Sequence, residues 1–103
     1  MENLLEETLR ALRGHDKSPS DVRFVISFPL FTDWKSFERN ANFNYDDGYG
    51  WNNISLDLKI VGDDWWLERE EYDGSEWWEF KEIPDRVDIR EAKPHEIMKM
   101  IRS

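Results

Sequence analysis

The chain has 103 residues, with 14 basic and 23 acidic side chains, and carries a net charge of −9 at pH 7. It contains no cysteine, which excludes disulfides, thiolate metal sites and cysteine nucleophiles, and one small domain has no room to enclose a large cofactor. The acidic excess argues against direct binding to nucleic-acid phosphates, which depends on clustered lysine and arginine.

Aromatic residues make up 15% of the chain, far more than in disordered acidic tails. We therefore expect a single compact domain over residues 1–103. No apolar run approaches the roughly 20 residues of a membrane helix, and the amino terminus shows no targeting segment. These features favour a cytoplasmic protein that does not bind membranes.

An amphipathic helix is predicted over residues 3–13. Asn3 and Glu6 have the spacing of a capping box, and Gly14 is a natural stop. Leucines at positions 5, 9 and 12 recur at helical intervals. We expect these leucines to enter the core.

A strand over residues 22–28 and a helix over residues 32–41 are predicted next. Apolar side chains occupy every second position of the first segment, and Pro29 is expected to end it. Thr32 offers a cap for the helix. The aromatic residues at positions 34 and 37 fall on one helical face, which we expect to be buried.

Residues 42–53 are predicted to form an aromatic loop. The segment Asp46-Asp47-Gly48 is typical of turns and lacks the alternating acids and final glutamate of an EF-hand calcium loop. Turn geometry is therefore favoured over metal binding. The sequence leaves open whether this loop covers a face of the sheet that follows.

From Ile54 the sequence predicts a three-stranded antiparallel meander. Gly62-Asp63 and Asp73-Gly74 each fit a two-residue turn, which places Ile60 opposite Trp65 and Leu67 opposite Phe80. The apolar side chains then share one face: Ile54, Leu56, Leu58, Ile60, Trp65, Leu67, Trp78 and Phe80. The other face is too polar to be buried.

The chain after Pro84 carries two weaker signals. Val87 and Ile89 permit a short extra strand, and Pro94 suits the first turn of a terminal helix whose Ile97 and Ile101 are expected in the core. The predicted fold class is α+β, an antiparallel meander sheet of three to five strands with two or three helices packed on one face.

On the polar face, this register aligns Asp57, Glu68 and Glu79 across neighbouring strands, about 5 Å apart. Like charges directly opposite one another are destabilising. One interpretation is a solvated surface on which Lys59 and Lys81 relieve the repulsion. That interpretation leaves two tryptophans on the same face unexplained.

The alternative interpretation is a binding surface, because exposed aromatic side chains anchor interfaces. Its candidate residues are Asp57, Trp66, Glu68, Glu70, Trp77 and Glu79. A carboxylate-centred site for a metal ion or a carbohydrate is a further alternative, as is a homo-oligomer that pairs through this face. We assign no catalytic residue, metal ligand or cofactor.

Three runs carry a resemblance to a known group of proteins: Tyr45-Asp46-Asp47-Gly48-Tyr49-Gly50, Val61-Gly62-Asp63-Asp64-Trp65-Trp66-Leu67-Glu68, and the segment from Glu71 to Lys81. Together they resemble small acidic proteins encoded by phages and integrative elements of Gram-positive bacteria. That group has no established activity, so no residue roles carry over. By analogy with anti-CRISPR proteins, the resemblance implies an inhibitor of host defence.

The predicted function is therefore non-enzymatic binding. We expect a monomer or homodimer whose acidic face occludes a basic nucleic-acid-binding surface of a host protein, with carboxylates meeting lysine and arginine and tryptophans anchoring the contact. It would not itself bind nucleic acid.

Overall fold

The computed structural model describes residues 1–46, 53–84 and 90–102. In chain order these contain β1 (Glu2–Asn3), α1 (Leu4–Gly14), β2 (Phe24–Ser27), β3 (Leu30–Thr32), α2 (Trp34–Ala41), β4 (Asn44–Tyr45), β5 (Lys59–Val61), β6 (Trp65–Tyr72), β7 (Ser75–Glu82) and α3 (Ile97–Ile101). Short 3-10 turns occur at Pro19–Asp21 and Pro94–Glu96. The fold class is α+β, as predicted.

The main sheet has five antiparallel strands in the order β3, β2, β5, β6, β7. The strand predicted before Pro29 therefore joins the meander beside β5. A second, two-stranded sheet pairs β1 with β4. The predicted strand at Val87 and Ile89 and the loop at 47–52 lie outside the described residues, and so does the question of whether that loop covers the sheet.

Helix α1 begins as predicted. Asn3 caps it, because its Oδ1 accepts a hydrogen bond from the backbone N–H of Glu6 at 3.0 Å. The buried stripe runs through Leu4, Thr8 and Leu12, while the leucines at positions 5 and 9 are half-buried at its margin.

The segment around Pro29 differs from the prediction. Pro29 lies in the turn of a hairpin, after a cis peptide bond, and the chain returns as β3. Thr32 belongs to that strand and pairs with Val25, so it does not cap α2. Asp33 caps the helix instead, since its Oδ1 accepts from the backbone N–H of Ser36 at 2.8 Å.

The strand predicted from Ile54 is shorter than expected. Residues 54–58 form a turn, in which the N–H of Asp57 donates to the Ser55 hydroxyl at 3.2 Å and the N–H of Leu58 donates to the Ser55 carbonyl at 3.2 Å. These local bonds compete with sheet pairing. Leu56 is consequently 42% exposed and does not belong to the core.

The register between β5 and β6 also differs from the prediction. The turn residues are Asp63 and Asp64, because the N–H of Gly62 donates to the Trp65 carbonyl, and Ile60 lies opposite Leu67. The shift is two residues, so each side chain keeps its face and changes its cross-strand neighbour.

The hairpin of β6 and β7 forms as predicted. Leu67 lies opposite Phe80, and Asp73 and Gly74 both have positive φ, of 51° and 85°, as a type I′ turn requires.

The core lies between one face of the main sheet and helices α1 and α2. Its buried apolar residues are Leu4, Leu12, Val25, Phe37, Ala41, Tyr45, Ile54, Ile60, Trp65, Leu67 and Trp78. Ile97 and Ile101 are 47% and 71% exposed, so their prediction as core residues is wrong. Helical spacing places residues on a common face but does not determine whether this face meets the core. No helix within the described ranges is long and apolar enough to cross a membrane.

Candidate functional site

The sheet face that points away from α1 and α2 carries alternate side chains of β6 and β7. We define the Trp/Glu face by Trp66, Glu68, Glu70, Trp77, Glu79, Lys81 and, from β5, Lys59. Five of the six predicted binding residues therefore lie together. Trp77 is 38% exposed, whereas Trp66 is half-buried.

Two identical hydrogen-bonded units lie side by side on this face. Trp66 Nε1 donates to Glu68 Oε1 at 2.6 Å, and Trp77 Nε1 donates to Glu79 Oε2 at 2.8 Å. Residues two apart in a strand point to the same face, so each strand orients its own indole and carboxylate. Glu68 lies directly opposite Glu79, which brings the two carboxylates to the middle, with one indole towards either end.

The ionised form of the Glu68 carboxyl group is stabilised by its neighbours. The hydrogen bond from the Trp66 indole lowers the pKa of Glu68, with smaller contributions from Glu70, Lys81 and Lys59. Hydrogen bonding and nearby cations both favour the ionised form of a carboxyl group. Glu68 therefore stays charged at neutral pH although another glutamate faces it.

Asp57, the sixth predicted binding residue, does not belong to the site. It lies exposed in the turn at 54–58, and Lys59 occupies the place opposite Glu68. The predicted row of three acids is therefore a row of one lysine and two glutamates. Lys59 replaces Asp57 in this row because the turn closes at Asp63 and Asp64, which shifts the register by two residues.

The same sheet face becomes apolar towards β2 and β3, which the sequence analysis missed. The register places Phe24 beside Val61, and Ile26 between Lys59 and Phe31. The rings of Phe24 and Phe31 meet edge to face with centroids 6.5 Å apart. The signal is the apolar run from Phe28 to Phe31, where the sequence predicts only that Pro29 ends a strand.

A buried ionic cluster lies on the core side of the same strands and was also missed. Arg69 and Glu76 are only 3% and 4% exposed. Arg69 donates to Glu7 Oε1 at 3.1 Å, to the Tyr45 hydroxyl at 2.9 Å and to Glu76 Oε1 at 3.1 Å. Its guanidinium also lies 4.8 Å from the ring centroid of Trp78. Each charge is thus compensated, as burial requires.

This cluster holds both flanks of the segment between β4 and β5. On one side, the Tyr45 hydroxyl donates to Glu7 Oε1 at 2.6 Å. On the other, Glu76 accepts the backbone N–H groups of Asn53 and Ile54 at 3.0 and 3.2 Å. Because β7 carries Glu76 inward and the Trp/Glu face outward, the cluster fixes the strand that presents the site.

Burial shifts the titration of two members of the cluster. Burial raises the pKa of Glu7, although the hydrogen bonds from Tyr45 and Arg69 oppose this shift. Burial also raises the pKa of Tyr45 above its ordinary range, and the hydrogen bond to Glu7 adds to that shift. Tyr45 therefore remains a protonated donor at neutral pH. Arg69 Nε has no hydrogen-bond partner among the described residues.

The chemistry available on the Trp/Glu face is the binding of cations. Carboxylates accept hydrogen bonds from ammonium and guanidinium groups, and indole rings attract cations to their faces. In ranges 1–46, 53–84 and 90–102, no group of three or more histidine, aspartate or glutamate side chains is arranged to hold a metal ion.

No protein-family model matches this chain, and no curated protein or solved structure is significantly similar to it. The interpretation of the Trp/Glu face therefore rests on the geometry and charge of the chain itself.

Proposed function

We propose that the protein is a non-enzymatic binding protein whose Trp/Glu face holds a basic surface of a partner protein. The observation that supports this most directly is the adjacent pair of indole–carboxylate hydrogen bonds, Trp66 to Glu68 and Trp77 to Glu79. These bonds orient the side chains before a partner arrives. A preorganised surface loses less conformational entropy on binding.

The central pair of glutamates supports the proposal of a basic partner. Glu68 and Glu79 are directly opposed like charges, which costs stability in the free protein. An arginine or lysine side chain of the partner, placed between the two carboxylates, is attracted to both of them. Its positive charge removes the cost of their repulsion. The guanidinium of arginine fits best, because it donates several hydrogen bonds in one plane.

The tryptophans supply the apolar part of the contact. Trp77 offers the more exposed ring, on which a guanidinium group or an aliphatic stem can stack. Burying such rings at the centre of an interface typically provides much of its affinity. The carboxylates then govern selectivity and encounter rate, and the indoles slow dissociation.

The net charge of −9 supports a basic partner that is attracted over a distance. A strongly acidic surface attracts basic proteins over a distance and repels nucleic acid. Surfaces dense in lysine and arginine are typical of proteins that bind nucleic-acid phosphates. Following the resemblance to proteins of mobile elements, we propose that the partner is such a protein of a bacterial host, whose phosphate-binding groups are occluded inside the host cell.

Titration with an arginine-rich peptide tests this function. Calorimetry should show that Glu68→Gln/Glu79→Gln weakens binding about tenfold or more, since both carboxylates meet the cation. The matched control is Asp57→Asn/Glu91→Gln, which removes the same charge from exposed positions outside the face and should weaken binding less than about twofold. Equal weakening by both pairs would show diffuse charge attraction and overturn the proposed site.

A further inference from the structure

We propose that a second copy of this chain docks on the free edge of β3, so that two main sheets join across a two-fold axis. This inference is independent of the proposed function. Strand β3 lies at one edge of the sheet, and β7, which carries half of the Trp/Glu face, lies at the other. A protein built this way has a self-association surface and a partner surface that do not compete.

The edge and the turn that precedes it expose large apolar side chains. Phe28, Leu30 and Phe31 are 81%, 75% and 76% exposed. Leu30 and Phe31 are successive strand residues and point to opposite faces, so apolar surface lies on both sides of this edge and totals roughly 400 Å² over the three side chains. Two such edges present roughly 800 Å² of apolar side chain, and contacts of the paired backbone and of the groove beside the edge supply the remainder of the roughly 1,000 Å² that a specific interface buries.

The backbone of β3 is available for pairing. One side of the strand pairs with β2, through Thr32 to Val25 and Leu30 to Ser27, and no strand in the described ranges pairs with the other side. Protected edge strands carry charged side chains that deter pairing. The opposite edge, β7, has Glu79, Lys81 and Glu82 as exposed charges. From Phe28 to Thr32 the chain has none.

A groove beside this edge offers a place for the side chains of an added strand. It has a volume of about 360 Å³ and lies between the β2–β3 hairpin and α2. Val25, Leu30, Phe37 and Leu58 are among its lining residues. A strand added to β3 directs alternate side chains to this side of the sheet, where an apolar residue such as leucine fills the groove.

Self-complementary pairing favours a second copy as the occupant. Two chains of net charge −9 repel each other, and the uncharged run from Phe28 to Thr32 is a segment where two copies meet without placing like charges together. Antiparallel pairing about Phe31 is self-complementary, because it sets Phe31 against Phe31 of the second copy and Leu30 against its Thr32. The same net charge disfavours an anionic lipid surface as the occupant.

Sedimentation equilibrium over a wide concentration range tests this assignment. The wild type should associate from 12.5 kDa to twice that mass, and more tightly at high salt, because screening reduces the repulsion between copies. Phe31→Asp should weaken dimerisation about tenfold or more, since the carboxylate would face its own copy. Tyr72→Asp makes the same chemical change at a residue that is 77% exposed, and should alter dimerisation less than about twofold.

Thermal unfolding of both variants checks that each is folded. We expect both to fold, because the two replaced side chains are exposed. A wild type that stays monomeric up to about 1 mM would overturn the proposal, because an interface of this size should be measurable there. Equal weakening by Phe31→Asp and Tyr72→Asp would also overturn it. So would flotation of the wild type with phosphatidylglycerol vesicles that Phe31→Asp abolishes, since the patch would then serve a membrane.

Discussion

Lys59 lies directly opposite Glu68 across β5 and β6. The predicted register, which differs from the observed one by two residues, would have placed Asp57 opposite Glu68. The observed row across the sheet therefore contains a cation as well as two acids. This neighbour contributes to the lowered pKa of Glu68. Lys59 thus favours the ionised form of Glu68 in the free protein.

We expect Lys59→Gln to reduce the free energy of unfolding by about 0.5 kcal/mol, because it removes an opposite-charge cross-strand neighbour. The appropriate comparison is Lys99→Gln, which removes the same charge from an exposed position in α3. Urea denaturation of both variants at low salt measures the difference. Indistinguishable variants would show that the Lys59 ammonium contributes nothing to the sheet.

Replacement of Arg69 should have a far larger effect. Arg69→Met leaves Glu7 and Glu76 without their shared cation, and losing one partner of a buried ion pair typically costs about 3–5 kcal/mol. Circular dichroism with urea denaturation measures the loss. Adding Glu7→Gln and Glu76→Gln to the same chain should recover part of it, since no uncompensated charge then remains. A loss below about 1 kcal/mol for Arg69→Met would contradict the cluster's structural role.

The pH dependence of stability should report Glu7. Burial holds its pKa above the ordinary value of 4.5 in the folded state, so the folded protein binds this proton more tightly than the unfolded chain. Its contribution to stability is therefore present at low pH and is lost as the pH rises through the folded pKa. The unfolding free energy of wild type minus that of Glu7→Gln should fall from pH 4.5 towards neutrality. A constant or rising difference would contradict this assignment.

The packing of Trp65 should depend on the absence of a side chain at Gly62. A Cβ atom at this position would collide with the Trp65 indole, so Gly62→Ala forces the core ring to move. Overpacking of this kind costs about 1–3 kcal/mol. Gly14→Ala is the control, because a Cβ there meets nothing within 4 Å, and its stability should be unchanged or slightly higher. Differential scanning calorimetry compares the two, and equal melting temperatures would refute the packing argument.

Local chemistry explains which parts of the fold could be predicted. Asp73-Gly74 determines the β6–β7 register because few other residue pairs accept two positive φ angles. The preceding turn has more than one candidate, because Gly62-Asp63 and Asp63-Asp64 are both made of turn-forming residues. Moving the turn by one residue shifts the register by two and keeps every side chain on its face, so alternation fits both turns equally well. The local pattern therefore could not show that Lys59, and not Asp57, lies opposite Glu68.

The buried ionic cluster could not be predicted from the local sequence pattern either. Alternation already placed Arg69 opposite Trp78 on the core side, but a charged residue is normally assigned to solvent. Its burial depends on Glu7 and Tyr45, which are 62 and 24 residues away in sequence. Only the tertiary structure brings these partners together.

The most direct test of the central claim follows the indole N–H signals of the protein by nuclear magnetic resonance during titration with an arginine-rich peptide. The chain has six tryptophans, and the account predicts that the signals of Trp66 and Trp77 move first and furthest, because their N–H groups bond to the carboxylates that meet the cation. The buried Trp65 and Trp78 should be nearly unaffected. Equal shifts across all six signals, or shifts confined to other tryptophans, would contradict binding at the Trp/Glu face.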